Sequence, residues 1–93
     1  MELKLSKKYT LDGKETDIIK MDFEKMTGAD ILDAEKTTLY IDGMSGAVLE
    51  LSKAYMLNIA SIATGIPAEE LKKLNLKDFT NLTIEVQAQL GGL

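Results

Sequence analysis

The stretch ATGIPAEELKKLNLKDF, residues 63–79, decides how the second half of the chain is read. It holds the chain's one proline, Pro67, with Gly65 two residues before it and Asn75 eight residues after it. Two readings compete: the turn of a DNA-binding helix pair, or the joints between packed helices. Gly65 suits the position just past a helix end, where a left-handed residue stops the helix. Pro67 suits the first position of the next helix, where the missing N–H has no intrahelical role. PAEELKKL then makes one or two turns over 67–74, with Glu69 and Glu70 at the positive end and Lys72 and Lys73 at the negative end, as the macrodipole favours. Asn75 caps a last helix over 76–90, with Asp78 as its reciprocal partner three residues on. Capping alone therefore accounts for the turn chemistry. A recognition helix here would carry Glu69 and Glu70 toward the phosphates of a DNA groove.

Working outward, residues 47–64 carry the strongest helical pattern. Val48, Leu51, Tyr55, Ile59 and Ile62 recur at helical spacing, and Leu49, Met56, Ala60 and Ala63 widen the stripe to about half the circumference. Glu50, Lys53, Asn58, Ser61 and Thr64 fill the polar side, on which Leu57 also falls. This is the central helix. On the last helix Phe79, Leu82, Val86 and Leu90 form one stripe, with Ile84 on the polar side.

Before residue 40 the periodicity changes. Leu3 and Leu5 alternate with polar neighbours, Tyr9 and Leu11 continue the run, and Ile18, Ile19 and Met21 follow the turn dipeptide Asp12-Gly13. That pattern predicts a β-hairpin over 2–21, one face of which must pack on helices. Thr27 and Asp30 resemble a capping box opening a helix over 28–40. Ile31, Leu32 and Leu39 can share its apolar face, with Glu35 inside the same arc. TTLYI (37–41) is β-branched and aromatic, so a short strand running into Asp42-Gly43 competes with the end of that helix. The expected fold is α+β and mostly helical, a single domain in which an N-terminal hairpin precedes three to four packed helices.

Composition limits function. The chain has 93 residues, 45% of them apolar and 28% charged, with a net charge of −4. It has no His, Cys, Trp or Arg, and all eleven basic residues are Lys. The commonest general base and metal ligand is absent, and so is the side chain best suited to bidentate phosphate contacts. Residues 12–36 carry eight acids against four lysines. An acidic chain without Arg is a poor nucleic-acid binder. No apolar run reaches the length of a membrane span, and MELKLSKKYTLDGKE lacks the apolar middle of a signal peptide, so a cytoplasmic location is expected. No catalytic, cofactor-binding or metal-binding residue is assigned. The carboxylates of 22–35 lack the spacing of a calcium loop, and no serine or threonine has a histidine to activate it.

The candidate partner-binding residues are Leu57 and Ile84, each apolar on a face the pattern marks as polar, together with Leu49 and Met56 on the wide stripe of the central helix. If Leu57 and Ile84 lie on neighbouring helices, they can belong to one patch. Met21, Met26 and Met56 read as gap-fillers in a small core, while Met44 sits in an expected loop.

Three stretches together carry a family resemblance. LDGKETDIIKMDFEKMTGADILDAEK is similar to the N-terminal part, and AYMLNIASIATGIPAEELKKLNLKDF and TNLTIEVQAQL to the C-terminal part, of the small tail assembly chaperones of long-tailed bacteriophages and prophages. The resemblance covers roughly residues 9 to 90 and is weakest over 37–47. It implies a non-enzymatic protein that forms homo-oligomers and binds the tape measure protein, holding its apolar helices soluble until the tail tube protein polymerises around them. It implies action in the bacterial cytoplasm and absence from the finished virion, while the composition points to no nucleic-acid or membrane partner. The rival readings are a helix-turn-helix DNA-binding regulator and a structural subunit of the virion.

Overall fold

Asp12 and Gly13 both adopt positive φ, 51° and 79°, which is the two-residue turn that matches the right-handed twist of paired strands. It joins β1 (Glu2–Leu11) to β2 (Lys14–Lys20) in an antiparallel hairpin. The computed structural model describes residues 1–40 and 52–91. Register is regular at both ends of the hairpin and broken between them: Lys4 faces Ile18, while Tyr9 faces Thr16. β1 thus carries the longer run, and its surplus residues bulge. The Thr16 hydroxyl donates to the Ile18 carbonyl at 2.7 Å and accepts the Ile18 N–H at 3.1 Å, which satisfies backbone groups where the ladder is interrupted. The inner face buries Leu5, Tyr9, Leu11, Ile19 and Met21.

Four helices follow: α1 (Gly28–Tyr40), α2 (Lys53–Thr64), α3 (Ala68–Leu71) and α4 (Leu76–Gln89). The result is an α+β, mostly helical fold with the hairpin at its N-terminal end. α2 is the hub: α1, α3, α4 and β2 all pack against it, and α4 also meets β1. One buried cluster runs through all of these elements, with Ile59 and Ala60 on α2, Leu71 on α3, and Leu82 and Val86 on α4 at its centre. Burying a side chain such as Leu82 stabilises the fold by about 2 kcal/mol relative to leaving it in water.

Several local expectations are corrected. α2 starts at Lys53, not at 47, because Ser52 is extended and caps it, its hydroxyl accepting the N–H groups of Ala54 and Tyr55 at 3.1 and 3.3 Å. The expected portion over 47–51, with Val48, Leu49 and Leu51, lies outside the described residues. Pro67 is the residue before α3 (φ −55°, ψ 141°) rather than its first helical position. α1 turns Ala34 and Thr38 inward, with Ile31 and Leu39 packed beside them as expected, and leaves only Leu32 of the expected face in water, 64% exposed. Residues 37–40 are helical, which displaces the strand alternative there; residue 41 onward is outside the described residues. Ile62, placed in the stripe of α2, is exposed.

Gly65 ends α2 in the left-handed conformation, φ 75°, with its N–H on the Ser61 carbonyl at 2.9 Å. The chain then passes through Pro67 into α3, whose Glu69 and Glu70 pair with Lys72 and Lys73 one turn on. Glu70 also accepts the Asp12 N–H at 2.7 Å, tying the tip of the hairpin to α3. That backbone hydrogen bond, aided by Lys73, holds the Glu70 carboxyl below its ordinary range.

Candidate partner interface

A buried polar cluster joins the hairpin to α4. Asn75 caps α4 as the spacing predicts, its Oδ1 accepting the Asp78 N–H at 2.8 Å. Asp78 does not return the bond to Asn75. Its carboxylate, 1% exposed, instead accepts three bonds from β1: from the Ser6 N–H at 3.0 Å, the Ser6 hydroxyl at 2.8 Å and the Tyr9 hydroxyl at 2.8 Å. The Asn75 N–H turns to the Tyr9 hydroxyl at 3.0 Å, and its side-chain amide reaches the Ser6 hydroxyl at 3.1 Å. The bulge in β1 spans Ser6, so an N–H that a regular ladder could claim is donated to α4.

Burial alone would raise the Asp78 carboxyl. The hydrogen bonds from Tyr9 and Ser6 outweigh it and leave the group below the ordinary carboxylate range. Burial, with the neighbouring carboxylate, pushes the Tyr9 hydroxyl up, so it remains a donor. Every polar group here is satisfied, and nothing in the cluster is poised to attack or to shuttle a proton. It is a clasp. Among the described residues no three Asp or Glu side chains converge as metal ligands would, and no helix is long and apolar enough to cross a membrane.

The candidate contact residues part company. Ile84 is 54% exposed on the outer side of α4, and Leu76, at the start of the same helix, is 84% exposed. Leu57 is 5% exposed and Met56 3%, so neither stands on the surface of the folded chain. Leu57 lies inside because α2 is enclosed on most of its circumference, including the side of Asn58, whose amide donates to Thr38 on α1 at 2.9 Å. A single-helix pattern marked that side as polar. Leu57 and Ile84 therefore do not form one exposed patch. Leu49 lies outside the described residues. Leu76 stands three residues before Phe79, at the spacing of the 79–82–86–90 stripe, so periodicity gives no sign that it is exposed.

Among the described residues, depressions and clefts adjoin these elements. One of about 610 Å³ runs along β2, from Lys14 to Lys20, against Thr64–Ile66 at the end of α2. A second of about 200 Å³ lies between Phe23, Met26, Ile31 and Ile59, with Leu90 at its rim. A third, about 560 Å³, is flanked by Met1, Lys20, Phe23 and Gln89. α3, which a helix-turn-helix reading would lay in a DNA groove, has four residues, with Glu69 and Glu70 in its first turn.

Fold and surface together define a small α+β protein whose described residues carry a polar clasp and exposed apolar side chains. The chain belongs to a phage tail assembly chaperone family: the family model described as "Phage tail assembly chaperone proteins, E, or 41 or 14" matches residues 2–91. No curated protein and no solved structure matches it. Its role is thus in the assembly of phage tails.

Proposed function

We propose that this protein binds the tape measure protein and keeps its amphipathic helices soluble during tail morphogenesis. Membership of the tail assembly chaperone family over nearly the whole chain is the observation that carries this reading. The outer side of α4 supports it, because Ile84 and Leu76 offer apolar contacts on the closed fold. Leu57 and Met56 serve as contacts only where α2 is uncovered, and Leu49 belongs to the same proposed set. The protein works as a homo-oligomer in the host cytoplasm, hands its client to the polymerising tail tube protein, and is absent from the finished virion. It performs no catalysis.

The test is co-expression with the tape measure protein encoded in the same phage or prophage genome, followed by affinity purification and light scattering. The expected result is a soluble complex with several copies of this chain per client. A tape measure protein that stays insoluble while this chain elutes alone would overturn the proposal. Recovery of this chain from purified virions would favour a structural subunit instead, and DNA affinity falling steeply with salt would favour a regulator.

A further inference from the structure

The outward side of α4 carries an ordered row rather than scattered apolar residues. Leu76, Thr80, Ile84 and Ala88 stand four apart, so they follow one line across the helix surface. Leu76, Ile84 and Ala88 are exposed, and Thr80 is half-buried. Size alternates along the line: large, small, large, small. Rows of residues four apart are the ridges of the commonest helix–helix packing. On the opposite side of the helix, Asp78, Leu82 and Val86 have the same spacing and are buried in the fold.

The alternation selects what would cover the outer row. Run antiparallel about a centre at residue 82, two copies of it set Leu76 of one against Ala88 of the other, and Thr80 against Ile84. A large side chain then meets a small one at each step. Run parallel and in register, Leu76 would meet Leu76 and Ile84 would meet Ile84. Charge favours the same arrangement. Lys77 and Glu85 lie two turns apart on one flank of the row, and among the described residues neither makes a salt bridge within the chain. The antiparallel two-fold brings like flanks together, so Lys77 of each copy comes within two residues' rise, about 3 Å along the axis, of Glu85 of the other.

We propose that this chain pairs with a second copy of itself through the outer row of α4, antiparallel about a two-fold axis beside residue 82. Such a contact is isologous and closes as a dimer. One helix pair buries little area, so the dimer forms as concentration rises. The pairing names an interface for the homo-oligomer proposed above, but it is argued from α4 alone and does not rest on the chaperone reading. What does rest on that reading is a consequence: the client also lies on Ile84 and Leu76, so client and second copy compete for one row.

Sedimentation equilibrium of the unaltered chain, from micromolar to near-millimolar concentration, is the first test. A monomer–dimer equilibrium is expected, and a monomer throughout would overturn the proposal. Ile84→Lys should weaken association by roughly ten-fold or more, as loss of a central contact does; an oligomer of any size that this variant leaves unchanged would overturn it. Lys77→Glu should also weaken pairing, and Lys77→Glu/Glu85→Lys should restore it; no rescue would remove the charge pair and with it the antiparallel register. The register has a second test. The chain has no native cysteine, so Thr80→Cys and Ile84→Cys can be mixed, oxidised and resolved by mass. The disulfide between the two variants should exceed that of either variant with itself, and the reverse would overturn the antiparallel arrangement. All of these measurements omit the tape measure protein, so they decide the pairing even if the chaperone reading fails. Adding that protein then tests the consequence: a dimer fraction unchanged by a captured client would overturn competition alone.

Discussion

The Tyr9 hydroxyl donates to Asp78 at 2.8 Å while accepting the Asn75 N–H at 3.0 Å, so one phenol oxygen fastens β1 to the first turn of α4. Tyr9→Phe removes both bonds and leaves a buried carboxylate short of a donor. The expected loss is about 2 kcal/mol of stability, within the range for orphaning a buried polar group. Asp78→Ala strands three donors at once and should cost about 3 kcal/mol. Urea unfolding of both single variants and the double variant checks this. Because the residues share one network, the double variant should lose less than the sum.

The same clasp sets the acid limit of the fold. The folded pKa of Asp78 is depressed, burial being outweighed by the Tyr9 and Ser6 hydrogen bonds. Its contribution is therefore fully present above the unfolded value, about 3.9, and is lost as pH falls through the folded value. Glu70 acts in the same direction, through the Asp12 N–H and Lys73. Tyr9 acts at the other end: its pKa is raised by burial, so its contribution holds below about 10 and is lost as pH rises through the folded value. Thermal melts across pH should show a plateau with an acid limb below about pH 4. Asp78→Asn should flatten that limb; an unchanged limb would remove Asp78 from the account.

How far the sequence reveals this fold can be judged from two capping patterns. Thr27-x-x-Asp30 and Asn75-x-x-Asp78 look alike. The first closes on itself, with the Thr27 N–H donating to Asp30 at 2.9 Å. The second sends its carboxylate across the molecule to β1. Local spacing marks the helix start in both cases, but only tertiary packing brings a hydroxyl and an N–H from some seventy residues away. The turn at Asp12-Gly13 and the stop at Gly65 were legible because they depend on backbone conformation alone. The interface residues were less so. Ile84 reads correctly as exposed, but Leu57 does not, because a helix enclosed on most sides has no solvent face for periodicity to report.

The Thr38–Asn58 bond gives a second prediction about a buried polar contact. Thr38→Val keeps the shape and deletes the hydroxyl that Asn58 donates to, at an expected cost of about 1.5 kcal/mol. Pairing it with Asn58→Leu should lose less than the sum of the two single changes, since the bond they share is removed once. Differential scanning calorimetry on the two single variants and the pair would read the coupling. Additive losses would mean that the bond contributes little across the α1–α2 seam.

Gly65 provides a backbone test independent of side-chain contacts. No atom stands within 4 Å of where a Cβ would sit, so Gly65→Ala meets no clash. Its φ of 75° nonetheless disfavours an L-residue, and the expected destabilisation is about 1 kcal/mol. Gly65→Asn should cost less, because Asn tolerates the left-handed region better. Chemical denaturation that placed both variants level with the native chain would show that α2 can end in another way.

Charge substitution separates surface from core most directly. Ile84→Lys adds a cation to a position already open to water and should change stability by no more than about 0.5 kcal/mol. Leu57→Lys forces an ammonium among buried apolar groups and should leave the chain largely unfolded at room temperature. Circular dichroism distinguishes these outcomes before any partner is added. Client capture then becomes interpretable for Ile84→Lys, because its fold is intact. Reduced capture would place the client on the outer side of α4, and full capture would move it to another surface of the fold.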